Sequence, residues 1–99
     1  MLLGISHLRL AYNSIQSILP IVNLTALSNL QVLDLCDNGL ELLPSELGRL
    51  TKLKELYIST NKLRKLPDAI QKMVSLEVLD IRNNDFYLLS KSAIVPVMS

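Results

Sequence analysis

Apolar residues recur along this chain in a nine-position pattern that closes on an asparagine. Read in order, the pattern is apolar, two variable residues, leucine, one variable residue, apolar, two variable residues and asparagine. It occurs four times, at residues 5–13, 30–38, 53–61 and 76–84. Successive asparagines are 25, 23 and 23 residues apart. This periodicity predicts a stack of similar units, each of which buries its apolar face against its neighbours.

Each copy contains two apolar positions that are two residues apart, so an extended strand points both to the same side. In the third copy these are Leu56 and Ile58, with Tyr57 between them on the opposite face. Stacking four such strands predicts a short parallel sheet with one open face. The asparagine that ends each copy can both donate to and accept from main-chain groups where the chain turns inward. We expect a structural ladder formed by Asn13, Asn38, Asn61 and Asn84.

The segments between the strands carry apolar residues at three-residue spacing. Leu47, Leu50 and Leu53 show this spacing, and the next copy repeats it. The spacing favours 3₁₀ or irregular structure over a strand. The first copy is two residues longer around 19–23, which predicts a small outward bulge on the convex side; a longer helical turn is the alternative. The expected fold class is therefore an α/β repeat: a short solenoid with a four-stranded parallel sheet on its concave face and 3₁₀ or irregular convex segments.

In this pattern the chain resembles the leucine-rich repeat proteins. Its Leu-Pro pairs at 43–44 and 66–67, its 23-residue step and its lack of cysteine caps resemble the intracellular Ras-associated group, which includes the Ras suppressor protein. The resemblance covers about residues 5–89. It implies a non-catalytic module or scaffold that binds another protein in the cytoplasm, in small-GTPase or adhesion signalling. Two alternatives stay open: the repeats select substrates within a larger ligase, kinase or phosphatase assembly, or the chain is a truncated isoform without independent function.

The pattern divides the chain into a repeat array at 1–91 and an apolar tail at 92–99. The repeats span about 5–29, 30–52, 53–75 and 76–91, and the tail is expected to be poorly ordered. Neither end shows the polar terminal unit that a repeat array needs. We therefore expect a fragment or isoform of a longer array, or self-association through the uncapped ends.

The charge, the polar residues and the single cysteine argue against nucleic-acid binding, a membrane span and a secreted location. A formal net charge of +1 at pH 7 does not supply the basic field that nucleic-acid binding requires. The uncharged run at 11–33 contains too many polar residues for a membrane span. Cys36 is the single cysteine and cannot form the disulfides that cap secreted repeat proteins, which favours a cytoplasmic location.

Function is expected on the outward side chains of the four strands, where a protein partner would dock. Tyr12 and Tyr57 are the favoured anchors, because tyrosine is enriched at interface hot spots. The alternative is a solvated surface on which Arg9 and Asp34 pair across strands. The predicted protein-binding residues are His7, Arg9, Tyr12, Asp34, Cys36, Glu55, Tyr57, Asp80 and Arg82.

The sequence predicts neither a catalytic site nor a site for a cofactor or a metal. Cys36 has acidic neighbours that disfavour its thiolate, and no orienting group follows His7. The acidic residues lack the spacing of a metal-binding loop, and the three glycines are dispersed rather than gathered in a phosphate loop.

Overall fold

The computed structural model describes residues 5–22 and 27–86. Within them, four three-residue strands form one parallel sheet: β1 (His7–Arg9), β2 (Val32–Asp34), β3 (Glu55–Tyr57) and β4 (Val78–Asp80). Their order in the sheet is their order in the chain. A short helix, α1 (Leu19–Val22), and two 3₁₀ helices, Ser45–Arg49 and Asp68–Lys72, lie in the connections. This architecture confirms the predicted repeat fold.

A column of leucines forms the centre of the core. The strand register pairs Leu8 with Leu33, Leu33 with Leu56, and Leu56 with Leu79. Leu33, Leu56 and Leu79 are fully buried, whereas Leu8 in β1 is only partly buried. Burial of the leucine column is therefore complete from β2 to β4. Shortening a central leucine such as Leu56 to alanine should cost about 2–5 kcal/mol of stability.

The convex side is built from consecutive three-residue turns. Pro44 has an extended conformation, with φ −75° and ψ 153°, and its carbonyl accepts a hydrogen bond from the Leu47 N–H at 3.1 Å. The Leu50 N–H then donates to Leu47, and the Leu53 N–H donates to Leu50, each at 3.1 Å. All three leucines are buried. The three-residue apolar spacing thus reflects a three-residue hydrogen-bond period, and equivalent bonds run from Pro67 into the fourth repeat.

The longer first repeat contains a helical turn. Ile18 is fully buried just before α1, and the Leu19 N–H donates to the Ser17 Oγ at 3.3 Å. Helix α1 packs beside the Ser45–Arg49 3₁₀ helix of the second repeat. Of the two arrangements that the sequence allowed here, the helical turn is the one observed.

Asn61 illustrates how the asparagine side chains join adjacent repeats. Its Oδ1 accepts hydrogen bonds from the main-chain N–H groups of Asn38 and Leu40, both at 3.0 Å. Its Nδ2 donates to the carbonyls of Leu35 at 3.0 Å and Ile58 at 3.1 Å, and to a third carbonyl in its own turn at 3.2 Å. One buried side chain therefore satisfies main-chain groups of two successive repeats.

The other asparagines follow the same pattern to different extents. Asn38 is buried, and its Oδ1 accepts from the N–H groups of Asn13 and Ile15 at 2.9 and 3.0 Å. Asn84 is partly buried, and its Oδ1 accepts from the Leu63 N–H at 3.1 Å. Asn13 is exposed and donates to two carbonyls of its own turn, at 2.9 and 3.0 Å. Burial and bonding are therefore greatest in the middle of the array.

The residue before each asparagine has a left-handed backbone conformation. The φ angle is 64° at Tyr12, 56° at Asp37, 56° at Thr60 and 55° at Asn83. Aspartate and asparagine tolerate this region, but it is unfavourable for a β-branched residue. Thr60, the β-branched member of the set, is therefore strained.

Parts of two sequence predictions lie outside the residues that the structure describes. They are the apolar tail at 92–99 and the two ends of the repeat array, at 1–4 and after residue 86. The repeat boundaries themselves stay predictions.

Candidate functional site

The outward residues of the strands form two columns across the sheet. The first contains His7, Val32, Glu55 and Val78, and the second contains Arg9, Asp34, Tyr57 and Asp80. Neighbouring parallel strands are about 4.8 Å apart, so adjacent members of a column can touch. Val32 is buried, which leaves the other three residues of the first column to form its accessible part. We refer to these columns, together with Tyr12, Cys36 and Arg82, as the concave face.

Arg9 and Asp34 form an ion pair between β1 and β2. Arg9 Nη1 lies 3.7 Å from Asp34 Oδ2, and the Arg9 side chain is 60% exposed. Asp34 Oδ1 also accepts a hydrogen bond from the Cys36 N–H at 3.1 Å. An ion pair this exposed contributes about 0–1 kcal/mol, so Arg9 can exchange Asp34 for a partner's carboxylate at little cost.

Asp80 and Arg82 form a tighter pair at the other end of the face. Arg82 Nε donates to Asp80 Oδ1 at 2.9 Å, and Arg82 Nη2 donates to Asp80 Oδ2 at 2.8 Å. The Asp80 side chain is only 6% exposed, whereas that of Arg82 is 57% exposed. The guanidinium lowers the pKa of Asp80 below its usual value, mainly through these hydrogen bonds. The sequence places both residues on the binding face, but in the structure Arg82 presents the accessible surface and Asp80 lies beneath it.

Tyr57, at the centre of the face, is oriented by Glu55 on the same strand. Its hydroxyl donates to Glu55 Oε1 at 2.5 Å. This hydrogen bond to a carboxylate is the main reason that the pKa of Tyr57 is raised above its ordinary value. In the register, Tyr57 lies between Asp34 and Asp80, both of which also have partners. The ring is therefore held in place before any partner arrives, which reduces the entropy that binding must overcome.

Cys36 lies on the face as a partly buried, protonated thiol. Its Sγ accepts a hydrogen bond from the Ser59 Oγ at 3.1 Å. Burial raises the pKa of Cys36, and the hydrogen bond with Asp34 raises it further. His7, the other residue considered for nucleophilic chemistry, has its Nδ1 2.8 Å from the Ser6 Oγ. A thiol with a raised pKa is a poor nucleophile at neutral pH.

Tyr12 lies at the rim of the face rather than within the sheet. It is 79% exposed and follows β1 in the left-handed turn before Asn13. Its main-chain N–H donates to the Cys36 carbonyl at 3.0 Å, which anchors the turn to the second repeat. The ring is therefore free to contact a molecule that approaches from the side of β1.

The chemistry that this face offers is recognition. It provides one oriented tyrosine, one exposed tyrosine and two accessible guanidinium groups, from Arg9 and Arg82. Over the described residues, no cluster of three or more histidine, cysteine or acidic residues is arranged to hold a metal ion.

Two sets of contacts within the face were not predicted from the sequence. Ser59 bonds to the Cys36 thiol, and the main-chain N–H groups two residues after Asp34 and Asp80 fix those carboxylates at 3.1 and 3.2 Å. The second feature has a sequence signal, because aspartate side chains often bind the N–H two residues later. The contact of Ser59 with Cys36 joins residues 23 positions apart and has no local signal.

Comparison with family models adds independent evidence on the fold. Residues 28–86 match the model described as "Leucine rich repeat". The chain belongs to the leucine-rich repeat family. The matched segment contains strands β2 to β4, with the second and third repeats and most of the fourth. Domains of this family typically bind other proteins, which agrees with the recognition chemistry of the concave face. No curated protein matches the chain.

A solved leucine-rich repeat protein from Leptospira interrogans has a similar structure. The two share 33% sequence identity, and the superposition has a TM-score of 0.74. The match covers 87% of this chain but 21% of the Leptospira protein, so this chain spans about one fifth of that protein's length. The similarity extends over nearly the whole chain and supports a repeat solenoid.

Among the helices of residues 5–22 and 27–86, none has the length and apolar character needed to cross a bilayer.

Proposed function

We propose that this chain is a non-catalytic protein-interaction module that binds another protein through its concave face. The observation that carries the proposal is the alignment of outward side chains across four strands, with Tyr57 oriented at the centre. Tyrosine and arginine are the residue types most enriched at interface hot spots, and Arg9, Arg82 and Tyr12 surround this centre. The membership of the chain in the leucine-rich repeat family supports the same role.

The dimensions of the face limit the size of the partner surface that it can cover. Four strands at about 4.8 Å spacing, each with about five residues of extended chain at about 3.3 Å per residue, give a surface of roughly 14 by 16 Å. A stable protein–protein interface buries about 800 Å² on each partner. The concave face alone is smaller than that, so we expect this chain to bind a peptide or a small protrusion of its partner.

We further propose that the chain acts in the cytoplasm as a scaffold in small-GTPase or adhesion signalling. Support comes from the Leu-Pro pairs at 43–44 and 66–67, which resemble the Ras-associated group, and from the single cysteine. Binding of the full chain to purified Ras-group GTPases, loaded with GDP or with a non-hydrolysable GTP analogue, tests the signalling role. Fluorescence microscopy of the tagged chain, with a cytosolic reference protein in the same cells, tests the location.

The concave-face proposal is tested by affinity capture with matched variants. The double variant Tyr57→Ala/Arg9→Ala removes the central ring and one accessible guanidinium. The control Val74→Ala/Lys72→Ala removes an apolar and a basic side chain from the convex side, where Val74 is 92% exposed. A partner captured by the wild type and identified by mass spectrometry is then titrated, as purified protein, against all three forms.

We expect the concave variant to bind the purified partner with an affinity at least tenfold lower than that of the wild type, a loss of about 1.4 kcal/mol of binding free energy. The convex control should bind like the wild type, and all three forms should show the same thermal melting temperature. Equal binding by both variants, or a loss confined to the convex control, would contradict the proposed concave site.

A further inference from the structure

The flank of the array, where the chain leaves each asparagine, carries a groove that the concave face does not use. Its wider part is a depression of about 530 Å³ that crosses the first three repeats. An adjoining depression of about 330 Å³ shares residues with it and extends along the third repeat. We call the combined surface the flank groove. Its main lining residues are Gln16, Gly39, Glu41, Leu42, Lys62 and Lys65.

Gly39 creates the open centre of the flank groove. Its φ is +75°, and outside its chain neighbours no described heavy atom lies within 4 Å of the point that a Cβ would occupy. The equivalent positions in the adjacent repeats hold Ser14 and Lys62, which carry side chains. The surface therefore dips between them, and the dip exposes main chain that a ligand can approach closely.

Leu42 supplies the apolar part of the flank groove. It is 68% exposed, whereas Leu40 and Leu43 beside it are buried. A single exposed leucine is common on protein surfaces and has no meaning alone. Here it lies at the junction of both depressions, next to the open space above Gly39.

Positive charge is concentrated at one end of the flank groove. Lys62 and Lys65 both belong to the third repeat and are exposed, and within the described part of the chain neither forms an ion pair. Glu41 supplies a carboxylate in the second repeat, and the first repeat contributes neutral side chains such as Gln16. Along the axis of the array, the lining of the groove is therefore neutral in the first repeat, apolar with one carboxylate in the second, and basic in the third.

We propose that the flank groove binds an extended peptide with an apolar side chain over Gly39 and Leu42 and acidic side chains over Lys62 and Lys65. Repeats follow one another at about 4.8 Å, so the three repeats that line the groove span about 10 Å. An extended peptide rises about 3.3 Å per residue, so about three residues span the groove. This site is separate from the concave face and does not depend on it.

The arrangement of charge favours a peptide over a nucleic acid. A nucleic-acid strand carries a phosphate at every nucleotide, and Glu41 in the middle of the groove would repel it. Nor does the groove offer an aromatic ring on which a base could stack. A peptide can place its acidic residues at one end and leave a neutral residue opposite Glu41.

A displayed library of random twelve-residue peptides, selected on the full chain, tests the proposal. Counter-selection uses Leu42→Ser/Lys62→Glu/Lys65→Glu, in which every substituted side chain is exposed. A second variant, Lys62→Glu/Lys65→Glu, keeps Leu42 and isolates the charge effect. The matched control is Val74→Ser/Lys72→Glu on the convex side. Synthetic versions of the enriched peptides are then titrated by fluorescence polarisation.

The proposal predicts enriched peptides in which an apolar residue is followed within three positions by aspartate or glutamate. Both groove variants should bind these peptides about tenfold more weakly than the wild type, or weaker still. The reason is that the two lysines that attract the acidic side chains of the peptide become glutamates that repel them. The convex control should bind within twofold of the wild type. Tyr57→Ala should leave peptide binding unchanged, which separates this test from that of the concave face.

Several results would overturn the proposal. They are a library without enrichment, enriched peptides that are basic, and equal binding to the groove variants and the wild type. A twenty-nucleotide RNA that displaces the peptides at lower concentration would assign the groove to nucleic acid. Concentration-dependent dimerisation that Leu42→Ser abolishes would assign it to a second copy of the chain.

Discussion

The asparagine ladder makes a quantitative prediction, because its members differ in how many main-chain groups they satisfy. Asn61 is buried, accepts from two N–H groups and donates to three carbonyls. Asn13 is exposed and donates to two carbonyls of its own turn. Replacing each in turn with alanine makes the same chemical change in two different environments.

The magnitude follows from the groups left without partners. In Asn61→Ala, the N–H groups of Asn38 and Leu40 remain between the repeats without their acceptor, at about 1–3 kcal/mol each, or about 2–6 kcal/mol together. A whole domain of this size has a stability of about 5–15 kcal/mol, so the variant loses a large part of it. Asn13→Ala leaves carbonyls that water can reach, and should cost about 0.5 kcal/mol.

Urea unfolding, followed by far-ultraviolet circular dichroism, measures these differences. With a slope of about 1–3 kcal/mol per molar urea, a loss of 3 kcal/mol lowers the midpoint by about 1–3 M. Asn84→Ala provides an intermediate point, since Asn84 is partly buried and its Oδ1 accepts from the Leu63 N–H. We expect midpoints in the order Asn13→Ala, Asn84→Ala, Asn61→Ala, from highest to lowest. If Asn61→Ala is unfolded without urea, the other two still test the order.

Equal midpoints for Asn13→Ala and Asn61→Ala would refute the reasoning, because they would mean that the asparagines do not bridge stacked repeats. A lower midpoint for Asn13→Ala than for Asn84→Ala would refute it as well.

Three further predictions follow from the strands and turns. Thr60→Asn should raise the free energy of unfolding by about 1 kcal/mol in the same urea assay, because asparagine tolerates the left-handed conformation better than threonine. An unchanged urea midpoint would argue against backbone strain at this position. Arg82 holds the pKa of Asp80 in the folded chain below the value for the unfolded chain. The ionised Asp80 carboxylate therefore stabilises the fold above about pH 4, and this stabilisation is lost as the pH falls through the pKa of Asp80 in the folded chain. Urea midpoints measured between pH 2 and 7 should therefore fall less steeply for Asp80→Asn than for the wild type. Burial raises the pKa of the Cys36 thiol, so iodoacetamide at pH 8 should alkylate the folded chain more slowly than the urea-unfolded chain; equal rates would contradict this.

The fold could be predicted because its determinants recur at fixed spacing. Leu33, Leu56 and Leu79 occupy the same position in successive copies, so one inference about an inward residue applies to all of them. The three-residue spacing of Leu47 and Leu50 indicated the 3₁₀ turns in the same way. Each of these is a local pattern. Because the pattern repeats at a fixed spacing, equivalent residues of successive copies can be aligned, and this alignment predicts the register of the strands.

The details of the concave face could not be obtained in this way. Column positions predict which residues are neighbours, but not which rotamer each one adopts. Asp80 lies beneath Arg82, and Tyr57 bonds to Glu55 on its own strand rather than to a neighbouring repeat. Such choices depend on competition among several polar partners within reach, which a repeat pattern does not encode.

The flank groove was missed for a different reason. Gly39 differs from the equivalent residues of the adjacent copies, Ser14 and Lys62, and Leu42 occupies a position that is Ser17 in the first copy and Lys65 in the third. Alignment emphasises what the copies share, whereas the groove arises where one copy lacks a side chain and presents an exposed leucine. Its shape depends on the stacking of three repeats, which only the three-dimensional structure displays.

Site-specific photo-crosslinking in cells that express the chain tests most directly whether the concave face binds a partner. A photoreactive phenylalanine analogue replaces Tyr57 in one form and the convex Val74 in another, and crosslinked products are identified by mass spectrometry. We predict that a discrete crosslink to another protein forms from position 57 and not from position 74. A crosslink from position 74 alone, or the same products from both positions, would contradict the account.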